Sequence, residues 1–178
     1  MNKAKWITSE EFSNLNILNV FKRTRNITVS EPDKYADSHL LYRKKILLDD
    51  FKKIIVHISA DDYYKLYING ALVSQGPPSG YYFHYYFDEV DITKYCRKGI
   101  NTIAVHQYYQ GLVNRVWVSG DHRCGLFFEL YQDNNIKLVS DETWKVFKSR
   151  AYIKNKNIYG RMLLLICFFF IFFLLNNT

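Results

Sequence analysis

Three sets of side chains in this sequence are of types that could do chemistry. The first is Asp61-Asp62, which follows an apolar run. Paired carboxylates bind metal ions or act as general acid and base. Adjacent strand residues point to opposite faces, however, so the expected state of this pair is a solvated turn rather than a convergent site. The second set is five histidines (His39, His57, His84, His106, His122) and three cysteines (Cys96, Cys124, Cys167). Their spacings match no metal-ligand motif such as HExxH. His122-Arg123-Cys124 lies between Gly120 and Gly125 and reads as a loop. A zinc site or a Cys/His nucleophile there would rest on coexistence alone, because structural zinc usually shows close ligand pairs. No metal and no other cofactor is expected.

The third set is aromatic and carries more information. Tyr81, Tyr82, Phe83, His84, Tyr85, Tyr86 and Phe87 are consecutive. In any strand they would place rings on both faces, so some must be exposed. Residues 108–121, YYQGLVNRVWVSGD, mix rings with Gln110, Asn114 and Arg115. Sugars present apolar C–H faces and rings of hydroxyls, which suit a flat aromatic platform beside planar polar partners. On that chemistry the candidate sugar-contacting residues are Tyr81, Tyr82, His84, Tyr85, Tyr109, Gln110, Asn114, Arg115 and Trp117. The competing reading is a Tyr-rich core with hydroxyls reaching its rim.

The elements that must position these residues read as short strands separated by turns. Leu40–Leu48 interleaves charges with apolar residues, and Ile54–Ala60 is dense enough in β-branched residues for a central strand. Tyr63–Ile68 and Ala71–Gln75 flank Asn69-Gly70, the signature of a two-residue type I′ hairpin. That turn predicts the pairs Ile68–Ala71 and Leu66–Val73 on one face, with Tyr67–Leu72 and Lys65–Ser74 on the other. Gly76-Pro77-Pro78-Ser79-Gly80 is a rigid exit leading into Tyr81–Phe87. Asp91 can cap one helical turn ended by Gly99. Ile100–Tyr109, Leu126–Tyr131 and Ile136–Val139 are further strands, the last two joined at Asp133-Asn134-Asn135. Only Ser9–Leu18 invites a helix. The pattern is that of an all-β jelly-roll β-sandwich.

The 178 residues suit one domain with an appendage, and 48% hydrophobic content can fill a core. The formal charge is +7, but residues 145–178 contribute six basic groups and no acid. The other 144 residues carry 18 basic and 17 acidic groups, a near-neutral body that argues against nucleic acid. Met162–Leu175 is an unbroken apolar run of 14 residues. As a helix it would span ~21 Å, short of the ~30 Å hydrocarbon core. Its basic flank favours a cytoplasmic side for a membrane-associated tail, the alternative to a packed helix. The expected division is a sandwich over 1–152 and a basic, then hydrophobic, tail over 153–178. The odd cysteine count and an N-terminus without an apolar h-region point to the cytoplasm.

Ordered motifs narrow the reading. ADDYYKLYING (60–70), GPPSGY (76–81), DITKYCRKGINTIAV (91–105) and YYQGLVNRVWVSGD (108–121) occur in sequence, followed by Ser140-Asp141 and Trp144-Lys145. This set, over roughly residues 4–150, resembles the N-terminal galactose-binding-like domain of bacterial α-L-rhamnosidases of glycoside hydrolase family 78. The resemblance implies a jelly-roll sandwich that binds a rhamnose-containing carbohydrate or packs against the remaining domains. It places the catalytic carboxylates in an (α/α)6 barrel downstream, so no catalytic residue carries over. The similarity fades near Lys154, which implies a truncated rhamnosidase with an unrelated tail.

Overall fold

A computed structural model of the chain describes residues 3–18, 34–78, 80–81, 83–111 and 120–152. Within them nine strands form two antiparallel sheets. The strands are β1 (Ser38–Leu48), β2 (Ile54–Asp61), β3 (Tyr63–Ile68), β4 (Ala71–Gly76), β5 (Asp88–Asp91), β6 (Gly99–Tyr109), β7 (Gly125–Gln132), β8 (Asn135–Val139) and β9 (Lys145–Lys148). One sheet has the order β4-β3-β6-β1-β9 and the other β5-β2-β7-β8. The chain is an antiparallel β-sandwich of the jelly-roll class, as its turn-punctuated strands predict.

Strict alternation builds the core. Leu40, Tyr42 and Leu48 of β1, Leu66 and Ile68 of β3, and Ile103, Val105 and Tyr109 of β6 face inward. Opposite them lie Ile54, Val56, Ile58 and Ala60 of β2 and Leu126, Phe128 and Leu130 of β7. Trp144 closes one side: it packs edge-on against Phe128 with ring centroids 5.0 Å apart and donates its indole N–H to the Val139 carbonyl at 2.9 Å. The N-terminal segment straps the β7 edge through paired Ile7–Leu126 backbone bonds of 3.0 and 2.9 Å. Its neighbour Lys5 bonds Ser140 twice, by N–H to the carbonyl at 2.9 Å and by the Ser140 hydroxyl to its own carbonyl at 2.6 Å.

Two of the sequence motifs interlock. The Asn69 amide donates to the Tyr95 carbonyl and to Asn101 Oδ1, each at 2.9 Å, while its Oδ1 accepts the Thr102 N–H. Asn101, buried beneath this turn, also accepts Arg97 N–H at 3.0 Å and donates to the Arg97 and Gly99 carbonyls. The hairpin and the start of β6 are thus tied by side chains, and Asp91 accepts Thr93 N–H at 2.9 Å to start the single 3-10 turn between them.

Two expectations need correction, and two features were not read from the sequence. The hairpin pairs Ile68 with Ala71 and Tyr67 with Leu72, then shifts: Leu66 pairs with Ser74 and Lys65 with Gln75. A bulge inserts one extra residue there, which adds local twist to an edge strand. Ser9–Leu18 yields only one helical turn, Glu10–Ser13, anchored by buried Phe12 alone, too little to sustain a longer helix. Tyr81 and Phe83–Phe87 form no strand; among the described residues their only pairing is a Tyr81–His84 bridge, with backbone bonds of 3.0 and 2.9 Å. Strands β5 and β9, four residues each, carry too little alternation to be read from sequence. Met162–Leu175 and the rest of the tail lie outside the described residues. Among the described residues no helix is long and apolar enough to cross a membrane.

Replacing Asn101 with Leu removes partners from at least four backbone or side-chain groups. Unfolding in urea should show a loss of about 2–3 kcal/mol, because unsatisfied buried groups cost about 1–3 kcal/mol. A stability equal to wild type would contradict this tie.

Candidate functional site

The chain crosses from one sheet to the other at Asp61-Asp62, between β2 and β3. The side chains at this corner are not the solvated turn that alternation implies. Asp61 is only 4% exposed, and its Oδ2 accepts the Tyr85 hydroxyl at 2.5 Å. Asp62 Oδ2 accepts the Gln110 N–H at 2.7 Å. The strand ends here and the backbone bends, so the two carboxyl groups lie close enough to interact. The peptide bond between them is cis, as is Gly76-Pro77.

Burial first, then the charge of Asp62, pushes the Asp61 carboxyl well above the usual carboxylate range. Asp121 adds to this from the segment before β7. The Tyr85 hydroxyl and the Cys124 thiol are also pushed up, by burial and then by Asp61. Asp121 is itself buried and paired with Arg123, whose Nε and backbone N–H donate to it at 2.7 and 2.9 Å. Gln107, from β6, donates its amide to the Asp61 carbonyl and to Cys124 Sγ, and accepts the Tyr42 hydroxyl at 2.5 Å.

Above this corner lies a shallow cleft of about 20 Å³, walled by Asp61, Asp62, Tyr63, Pro77, Pro78, Tyr81, Tyr85 and Tyr86. That is room for about one water, so a ligand's hydroxyl could enter but not its ring. Pro77, Pro78 and Gly80 shape the opposite wall. A Cβ at Gly80 would come within 2.6 Å of the His84 carbonyl oxygen, and one at Gly76 within 2.1 Å of Asp88 Oδ2. At Gly80 the obstacle is backbone, so glycine is needed there for close approach, whereas at Gly76 the Asp88 side chain would have to move. The aromatic loop then rises into solvent. Tyr81 and Phe83 are 48% and 70% exposed and stack with centroids 5.4 Å apart and planes 6° apart. Tyr86 and Phe87 are exposed beside them, and Trp6 packs 5.0 Å from Tyr85.

Of the residues expected to contact sugar, Tyr81, His84 and Tyr85 meet at this cleft and loop. Tyr81 and His84 are exposed; Tyr85 is half-buried over Asp61. Tyr109 is fully buried, packed edge-on against Phe12 at 5.0 Å, with its hydroxyl accepting the His122 N–H at 3.1 Å. Gln110 is buried too, and its backbone serves Asp62. Tyr82, Asn114, Arg115 and Trp117 lie outside the described residues. Asp61, Asp62, Asp121, Phe83 and Trp6 complete the constellation and were not expected there. The Asp61-Asp62 pair was visible as a doublet, but only the corner reveals its convergence. Among the described residues no cluster of His, Cys, Asp and Glu is arranged to hold a metal ion. Asp61 is almost wholly buried at the floor of the cleft, with Tyr85 donating to it.

Comparison with known proteins gives the fold a context. No family model matches the sequence, and no curated protein matches it. Among solved structures, the family 78 rhamnosidase of Bacillus sp. GL1 superimposes with a TM-score of 0.60 at 26% identity. The alignment covers 67% of this chain and 13% of that one, so the chain spans about an eighth of that enzyme's length. The Pleurotus ostreatus lectin, in its apo form, aligns with a TM-score of 0.50 at 20% identity, over 82% of this chain and 35% of the lectin. The α-L-rhamnosidase of Dictyoglomus thermophilum has a TM-score of 0.48 at 24% identity, covering 62% and 13%. The sandwich is similar to a small part of the Bacillus family 78 rhamnosidase and shares its fold with the Pleurotus lectin.

The raised Asp61 carboxyl sets a pH signature. A carboxyl whose folded pKa exceeds its unfolded value of 3.8 favours the folded state while protonated. That contribution is present in acid and is lost as pH rises from 3.8 through the folded value, by up to about 1.4 kcal/mol per pH unit. Asp61→Asn should melt higher than wild type at pH 7 and show a flatter melting profile above pH 4. A lower melting temperature at pH 7 would refute the reading.

Proposed function

We propose that this chain is a non-catalytic, carbohydrate-binding domain of the α-L-rhamnosidase type, which takes a rhamnose-containing sugar at the Asp61–Tyr86 cleft. The observation that carries the reading is the stacked, exposed Tyr81–Phe83 pair standing beside a carboxylate-lined cleft too small for a sugar ring. A pyranose would lie on the exposed rings through its C–H face. One hydroxyl or small substituent would enter the cleft toward Asp62. The likeness to a rhamnosidase at 26% identity supports the assignment, as does the ordered set of motifs.

The alternative role, packing against neighbouring domains of a larger enzyme, draws on the same exposed rings. Sugar titration separates the two. Calorimetric titration of the full chain with rhamnose and with galactose should show saturable binding of at least one. Tyr81→Ala combined with Phe83→Ala should weaken it tenfold or more, and Asp62→Asn should weaken it measurably. Silence toward both sugars would favour the packing role. No hydrolysis of an aryl rhamnoside is expected.

A further inference from the structure

The near-neutral sum of charges over the body hides a segregation by sheet. The five strands β4, β3, β6, β1 and β9 contain six basic residues and no aspartate or glutamate. The four strands β5, β2, β7 and β8 contain five acids and one lysine. Alternation sends Arg43, Lys45, Lys65 and Lys145 to the outer face of the five-stranded sheet, because Tyr42, Leu66 and their neighbours fill the inner one.

Register then places like charges together. Arg43 lies directly opposite Lys145, while Lys65 faces the ring of His106. Like charges facing each other across strands destabilise a sheet, so this face carries a standing repulsion that a bound anion would relieve. The flanking acids are already engaged. Asp37 accepts the Tyr108 hydroxyl at 2.8 Å, Asp49 pairs with Lys137 at 2.9 Å, and Asp50 pairs with Lys98 at 2.6 Å.

Rings run between the cations. His39 stacks on Tyr152 at 3.7 Å and on Tyr108 at 4.8 Å, and Tyr108 stacks on Tyr63 at 6.5 Å. His106 bonds His39 across 2.9 Å and stacks on Tyr152 at 5.3 Å. Burial holds His39 at about 3 and His106 at about 4, with Lys65 lowering both, so at neutral pH they serve as uncharged rings. Leu41 and Phe147 are exposed on the same face.

We infer that the outer face of the five-stranded sheet binds an anionic polysaccharide, a glycan chain bearing uronate carboxylates or sulfates. Arg43, Lys45, Lys65 and Lys145 would meet the anionic groups, and Tyr152, the exposed end of the Tyr63–Tyr108–His39–Tyr152 stack, would meet the C–H face of a sugar. The rings already stack on one another, which leaves no slots for splayed bases. That the polyanion is a glycan rests on the carbohydrate reading above; the charged face does not depend on the Asp61–Tyr86 cleft.

The test is affinity of the full chain for polygalacturonate, for its fully methyl-esterified form, and for a single-stranded oligothymidylate, at low and high salt. Polygalacturonate should bind, with affinity falling steeply as salt rises, and the esterified form should bind at least tenfold more weakly. Arg43→Ser with Lys145→Ser should weaken polygalacturonate at least tenfold while melting no lower than wild type, since a repulsion is removed. Asp62→Asn should leave it unchanged, even if rhamnose binding is lost. Absence of polygalacturonate binding, equal binding of the esterified form, tighter binding of the oligothymidylate, or an unaffected Arg43/Lys145 variant would each overturn the proposal. So would loss of polygalacturonate binding in Asp62→Asn, which would move the ligand to the cleft.

Discussion

The structure turns on one buried amide. Gln107 stands at the end of the sandwich where β2 of one sheet gives way to β3 of the other. It accepts the Tyr42 hydroxyl and donates to the Asp61 carbonyl and to Cys124. A fully buried amide without partners would cost several kcal/mol on transfer from water. Here three elements (β1, the β2 end and the segment before β7) satisfy it together. That shared satisfaction holds the corner in place, and the corner in turn holds Asp61 under Tyr85 and sets the aromatic loop above the cleft. Packing of apolar rows could by itself tolerate small shifts of one sheet over the other. A directional polar contact at the crossover does not.

Much of the fold was legible because strands obey a two-residue period and turns obey backbone chemistry. Asn69-Gly70 and Asp133-Asn134 both adopt the left-handed conformations that their residue types favour, and both join paired strands. Ile103 and Val105 face in, Ala104 and His106 out, as their alternation requires. The bulge after Leu66 was not legible, because nothing in the residues of β4 distinguishes a paired Val73 from an extra one. The four-residue strands β5 and β9 escaped for want of length.

The site was legible only in part, and the reason is physical. A pattern of residue types reports on a strand's two faces, but the cleft forms at a corner, where the chain leaves that geometry. Asp61 is therefore buried where alternation predicts solvent, and Tyr109, read as a platform, completes the core beside Phe12. That some rings of residues 81–87 are exposed was legible, because seven consecutive rings exceed what any inner face can hold; which ones was not. Total charge misled in a similar way. A sum over the chain carries no information about which sheet a residue joins, and here the two sheets sort the charges by sign.

The strap formed by Lys5 and Ile7 has a consequence for how this domain can be joined to others. It completes the β7 edge at Leu126, a stretch that β8 leaves unpaired. A chain cut to begin after Thr8 would bare that edge together with the Phe127 ring that Trp6 now covers, and bare edges recruit strands from other molecules. The first few residues thus act as a selvedge for the sheet. A fusion partner placed before Lys3 leaves this border intact, whereas one replacing residues 3–8 invites association between copies.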